Sequence, residues 1–458
     1  SATIWRCHCW TEPSALGSRQ VLQDFSYTKV FRVFHSFFPQ PKLFFTSAAL
    51  WTLVCIIVWY TVGPEIGSAL GMPPLAEGQQ PPVGLAFFFT PDNLWFYLYF
   101  TIFVVIFGVA WQLVARDHPW TNWSIWGSAF IIFIAYFSVQ ISVAVNNWRG
   151  PFFDLFQKAL NGDGTVTAGQ LYELQLRFLE IGMVGVTLSV VTAFFTNHYV
   201  FRWRNAMNDF YMSKWDKLRH IEGASQRVQE DTMRFANILE GLGVALINSV
   251  MTLVVFLPIL FRMSENVSEL PILGAIPHSL FWLAIAWSAF GTILLMVAGI
   301  KLPGLQFRNQ RVEAAFRKEL VYGEDNAERA QPVTVRELFS NVRRNYFRMY
   351  WHYTYFNVAR YTYGQLDALF LTFILIPTVV AGRITMGVWQ QIATAFGQVT
   401  DSFQYLVSYW STIIELLSIH KRLAAFEAAI DGEPLPEIDQ RYLLREAAEG
   451  EIAADRPY

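Results

Sequence analysis

What most constrains this chain is the number of long stretches that lipid would accept and water would not. Crossing roughly 30 Å of hydrocarbon takes about 20 consecutive, mainly apolar residues. Such stretches lie near 42–62, 94–115, 122–145, 176–200, 236–262, 277–300, 355–381 and 387–419. Eight spans are therefore expected, in an all-α integral membrane protein. Two are less clean, since 355–381 opens in aromatic and polar residues and 387–419 is interrupted by Gln398, Asp401 and Gln404. Composition agrees: 53% of the residues are hydrophobic and only 15% charged, a balance uncommon in water-soluble domains.

The distribution of charge argues for an orientation, because short loops rich in lysine and arginine stay on the cytoplasmic side. The stretch after the fourth span carries Arg202, Arg204, Lys214, Lys217, Arg219 and Arg227, and that after the sixth carries Lys301, Arg308, Arg311, Arg317 and Lys318. By contrast, 263–276 and 63–93 contain acids and no lysine or arginine. Both termini are then expected in the cytoplasm. A net charge of −2 without a basic domain gives no footprint for nucleic acid. Cys7, His8 and Cys9 lie too close together for the usual zinc spacing, so no metal is expected.

Phe201, Trp203, Met207, Phe210, Tyr211, Trp215 and Leu218 recur at helical spacing among charges, and Leu305, Val312, Phe316 and Leu320 repeat the pattern. Helices near 201–235 and 301–350 are accordingly expected to extend into the cytoplasm. Such overshooting pairs are how ABC exporter membrane domains are built, and the predicted architecture is similar to one without its nucleotide-binding domain. Residues 1–33 are expected to be a disordered extension, 34–430 the transmembrane domain, and 431–458 a cytoplasmic tail.

Two runs carry a resemblance. Asn197 to Arg204, continuing through Leu218 to Ala236 with Glu222, Gln226 and Glu230, resembles the SbmA/BacA family of bacterial inner-membrane peptide transporters. So does Gly299 to Leu305, followed by Asn309 to Ala315 and Arg317 to Asp325. The resemblance implies a homodimeric importer in the bacterial inner membrane, driven by the proton gradient and needing no cofactor. Its expected solutes are diverse peptides, including antimicrobial peptides, microcins and bleomycin-like compounds, with membrane lipids as the other partners and a role in symbiosis in one branch. It also implies a cavity lined with glutamates, which fall on Glu230, Glu240, Glu313 and Glu324, with Glu222 as a weaker position; Gln226 is a secondary candidate.

The residues support a reading of their own beside this one. Glu240 opens an otherwise apolar run from Ile238 to Phe261, where an ionised carboxylate facing lipid costs about 2.5–3.5 kcal/mol. It should face a cavity or a partner, where a carboxyl that gains and loses a proton as its surroundings change can couple a gradient to a conformational cycle. A solvated acid at the membrane border is the plainer alternative. Glu230 stands three and four residues from Arg227 and Arg234, so a surface ion-pair cluster explains it as well. Glu313 and Glu324 share a helix face if Gly323 does not end the helix. Asp367 has Arg360 two turns earlier on the same face, and Glu415 has Arg422 two turns later; a structural pair is the plain reading of each.

Two other functions stay open. No Gly-x-x-x-x-Gly-Lys-Ser/Thr loop occurs, so ATP binding by this chain is not expected. A membrane subunit for peptides or very-long-chain fatty acyl groups with a separate ATPase would keep the same architecture. A lipid-modifying enzyme using His198 and His220 is the third reading, but 22 residues of helix would hold those two roughly 33 Å apart.

Overall fold

The computed structural model describes residues 33–430, apart from 76–78, 220–223, 268–269, 272–273, 275 and 327. Among these residues the regular structure is helical, with one isolated bridge between Leu270 and Gly274. Helices α1 (Pro41–Thr61), α2 (Gly63–Ala69) and α3 (Pro91–Val114) come first. They are followed by α4 (Ser128–Leu160), α5 (Ala168–Met212) and α6 (Thr232–Met263). Then come α7 (Ser279–Gly299), α8 (Leu302–Asp325), α9 (Pro332–Val380), α10 (Met386–Phe403) and α11 (Trp410–Ile430).

Seven helical runs of the described residues are long and apolar enough to cross a membrane: Pro41–Thr61, Pro91–Val114, Trp123–Leu160, Ala168–Met212, Ala224–Asn266, Ser279–Gln306 and Pro332–Val380. They coincide with seven of the eight expected spans. The eighth differs. Its helix stops after Phe403, resumes as the single turn Tyr405–Ser408 and continues as α11. The polar residues Gln398, Asp401 and Gln404 lower its hydropathy, and its apolar half is spent on packing within the bundle.

Helix α5 has 45 residues and α9 has 49, roughly 68 and 74 Å at 1.5 Å per residue, more than twice the hydrocarbon thickness. At the start of α5, Thr167 accepts from the Gln170 amide (3.4 Å) while Gln170 accepts from the Thr167 amide (2.9 Å), a reciprocal cap. Helix α8 runs on through Gly323 to Asp325, so Glu313 and Glu324 do share one helix.

Two apolar clusters mark the ends of the bundle. One gathers Phe37, Trp203, Met207, Tyr211, Phe235 and Leu423. The other gathers Phe87, Trp148, Ile181, Leu260, Leu280 and Ile392. The basic stretches 202–219 and 224–234 lie with the first cluster, and Met263, Val267 and Leu270 with the second. Helix α10 enters the second cluster with its N-terminus capped: Asp154 Oδ1 accepts from the Gly387 amide (2.7 Å) and Gln157 Oε1 from the Met386 amide (3.0 Å). A Cβ at Gly387 would collide with the Gly150 carbonyl, so only glycine lets α10 approach α4 this closely.

Helices α1 and α3 are knitted to each other by three bonds, each using an aromatic donor, and a fourth ties α3 to the start of α2. Trp111 Nε1 donates to Ser47 Oγ (3.1 Å), Trp51 Nε1 to the Phe103 carbonyl (3.1 Å), Tyr99 OH to the Cys55 carbonyl (2.6 Å) and Trp95 Nε1 to the Gly63 carbonyl (2.9 Å). In lipid, side-chain donors that end on a neighbouring backbone oxygen replace the water that would otherwise solvate them.

Candidate functional site

A cavity of about 1100 Å³ separates the α1–α3 pair from α4 and α6. It lies just above the ~300–1,000 Å³ of most small-molecule pockets. Helix α6 lines it at almost every turn from Leu239 to Met263, roughly 36 Å, so the cavity follows the whole hydrocarbon depth. Its walls are aromatic, with Trp51, Trp59, Phe96, Tyr99, Phe103 and Tyr136 among them. Those rings pack on one another, as where Phe96 stacks on Tyr136 at 3.9 Å between centroids.

Ionisable carboxylate and guanidinium groups stand at the two ends of this wall, with the neutral side chains of Thr52 and Gln140 between. At one end stand Ser128, Tyr199 and Glu240, with Ser128 Oγ and Tyr199 OH 2.7 Å apart. Glu240 is half-buried, and among the described residues its carboxylate has no hydrogen-bond or ion-pair partner. At the other end are Asp92, at the start of α3, and Arg262, near the end of α6. A free carboxylate on an apolar wall at membrane depth must be neutral or must meet water or a cation, because hydrocarbon supplies no other counterpart.

The other expected positions fall elsewhere. Glu230 belongs to a five-residue π turn, Arg227–Asp231, that leads into α6. It pairs with Arg234 at 2.9 Å and accepts from Gln226 Nε2 at 3.0 Å, which is the surface ion-pair cluster its spacing suggested. Glu313 is half-buried and Glu324 exposed on α8, both away from the cavity. Glu222 and His220, as well as Cys7, His8 and Cys9, lie outside the described residues, among which no His, Cys, Asp and Glu cluster could hold a metal.

Two expected pairs are corrected. Asp367 is not joined to Arg360, which is exposed; it accepts a 2.6 Å bond from Trp287 Nε1 on α7. Two helical turns are roughly 10 Å, too far for a direct contact, whereas the neighbouring helix brings an indole within reach. Glu415 and Arg422 are likewise not partners of each other. Glu415 faces Arg234 at 3.8 Å, and Arg422 grips Asp231 with two bonds of 2.9 and 2.7 Å. The Asp231 side chain is only 5% exposed, and the sequence reading passed over it. Its signal was an acid between arginines at the mouth of a span, one position from the glutamate that drew attention.

Around this ion-pair network the first apolar cluster closes tightly. Tyr211 OH donates to Glu427 Oε1 (2.9 Å) inside it, and Arg202 lies 3.8 Å from the centre of the Trp123 ring. The π turn, α5 and α11 thus meet at the end where basic residues are densest.

Among the described residues, seven helices long and apolar enough to cross a membrane, one interrupted eighth and a cavity between them make this a multi-pass membrane protein of the class to which membrane transporters belong. The SbmA/BacA-like family profile matches residues 117–431, and the chain belongs to that family. The chain is similar to the inner membrane ABC transporter ATP-binding protein YddA of Escherichia coli, 24% identical over 65% of this chain and 55% of that protein. An uncharacterized ABC transporter ATP-binding protein of Synechocystis is 24% identical over 52% of this chain and 35% of its own length. The chloroplastic ABC transporter D family member 2 of Arabidopsis thaliana is 22% identical over 61% and 40%. The chain therefore spans about half, or less, of the length of these relatives.

Proposed function

We propose that the protein imports diverse peptides across the bacterial inner membrane as a homodimer driven by the proton gradient, with both termini in the cytoplasm. The observation that carries this reading is Glu240, an unpartnered carboxylate on the wall of a bilayer-deep cavity. When the cavity opens to the acidic side Glu240 takes a proton, and when it opens to the neutral side the proton leaves; the charged form also attracts cationic solutes. Attraction by charge and by aromatic faces makes few demands on sequence, which suits a broad range of peptides. The other glutamates act outside this cavity, Glu230 in the ion-pair network and Glu313 and Glu324 along α8.

The test is uptake of a fluorescent cationic peptide into proteoliposomes under an inward proton gradient, by wild type and Glu240→Gln at equal abundance. Glutamine keeps the shape and removes the titratable group, so uptake should fall at least tenfold while folding persists. Near-wild-type uptake by the variant would remove Glu240 from the mechanism.

A second reading is supported by the names of the similar proteins, which are ABC transporter ATP-binding proteins longer than this chain. In it the chain is the membrane portion of a transporter for peptides or very-long-chain fatty acyl groups, and a separate ATPase supplies the energy. Uptake that required ATP and a second subunit, and ignored the gradient, would establish it.

A further inference from the structure

Helix α10 has two opposite faces of unlike chemistry. Ile392, Ala395, Phe396 and Val399 form one, with exposures of 0, 0, 4 and 0% in the packing against α4, α6 and α7. At 100° per residue the other side carries Gln390, Asp401 and Thr394, within about 30° of the line opposite the buried one, and Gln398, about 70° from it. The first three are half-buried and Asp401 is exposed.

Thr394 satisfies its own donor on the Gln390 carbonyl (3.0 Å), but the amides of Gln390 and Gln398 and the carboxylate of Asp401 have no partner among the described residues. None of the four lines the aromatic cavity. The stripe also lies at membrane depth. The chain beyond Asp401 is held by Gln404 Nε2 on Tyr363 OH (2.8 Å) and by Tyr405 OH on the Leu242 carbonyl (2.7 Å), both well inside spans. Two amides and a carboxylate on that side cannot face lipid tails, which offer no hydrogen bonds. Water, or a polar solute in water, can satisfy all of them.

We propose that this face of α10 lines an aqueous path through the membrane, separate from the aromatic cavity, and that Asp401 is the carboxylate in it that engages cationic groups of the transported solute. The role of Asp401 rests on the peptide-import reading; the wetness of the stripe does not.

The full chain, with Cys7, Cys9 and Cys55 each changed to serine, is reconstituted with single cysteines at positions 390, 394, 398 and 401. It is then treated with a charged, membrane-impermeant thiosulfonate. Controls are Val190→Cys, on an apolar outer face of α5 at 64% exposure, and Phe396→Cys on the buried face. Labelling at the four stripe positions should be at least tenfold faster than at both controls. Rates no faster than Val190→Cys would overturn the aqueous path, whether lipid or a dry contact with a second copy covers the stripe. Asp401→Asn should cut uptake of the cationic peptide at least tenfold and leave labelling at position 394 unchanged. Full uptake by that variant would overturn the role of Asp401. The labelling arm needs no transport, so it judges the path even if wild type moves no peptide.

Discussion

Arg422 holds Asp231 through two parallel hydrogen bonds, Nη2 to Oδ1 at 2.7 Å and Nε to Oδ2 at 2.9 Å, which ties the last helix to the π turn ahead of α6. A planar guanidinium matches a carboxylate in both length and direction, and lysine would not.

Removing the arginine leaves a carboxylate that is almost fully enclosed. Breaking a fully buried pair costs about 3–5 kcal/mol; with Arg422 itself 43% exposed, Arg422→Ala should cost about 2 kcal/mol. Thermal unfolding in detergent should show a lower Tm for Arg422→Ala, and Asp231→Asn added to it should recover part of the loss. An unchanged Tm would mean that water already solvates Asp231.

Close approach between α7 and α9 depends on Gly291, since a Cβ there would collide with the Tyr363 ring. That ring also stacks on Trp287 at 5.5 Å and takes the hydrogen bond from Gln404. Gly291→Ala should therefore destabilise by about 1–3 kcal/mol, as overpacking of tight interiors does. Gly291→Ala with Tyr363→Ala should recover part of that loss in the same unfolding assay, whereas strictly additive losses would show that the collision is relieved elsewhere.

Reporter fusions check the proposed orientation. A fusion at Gly67 should read as periplasmic and one at Lys217 as cytoplasmic, because the basic residues gather at only one end of the bundle. A periplasmic signal at Lys217 would invert the arrangement.

Features that depend on residues near one another in sequence were legible before the fold was known. Seven spans follow from runs of apolar residues, and the Glu230–Arg234 pair from a spacing of four. Glu240 stood out because a single acid in an apolar run needs a reason. What escaped depends on distant partners. Trp287 is 80 positions from Asp367 and Arg422 is 191 from Asp231, and no periodicity along a helix points to a neighbour on another. Spacing instead suggested Arg360 and Glu415, which share a face with Asp367 and Arg422 but lie too far away to touch. The break after Phe403 was foreshadowed by Gln398, Asp401 and Gln404, though the reading kept one span there. The aromatic cavity was hidden for another reason: dense Trp, Phe and Tyr at span ends ordinarily marks the membrane interface.

Three aromatic bonds begin and end within the α1–α3 pair, and a fourth, from Trp95 to Gly63, ends on the adjoining α2. Across to α4 the contacts are ring against ring, as in Phe96 on Tyr136 and Phe100 beside Phe133, with the Trp126 indole to Gln112 (3.4 Å) at one end. Dispersion between flat faces varies little with small sliding, whereas a hydrogen bond weakens steeply once misaligned. The pair is thus a stiff panel held across the cavity by ring contacts, with the Trp126 ring seated against Gly108. The family match begins at residue 117, just past the end of α3, so the panel stands outside the matched residues.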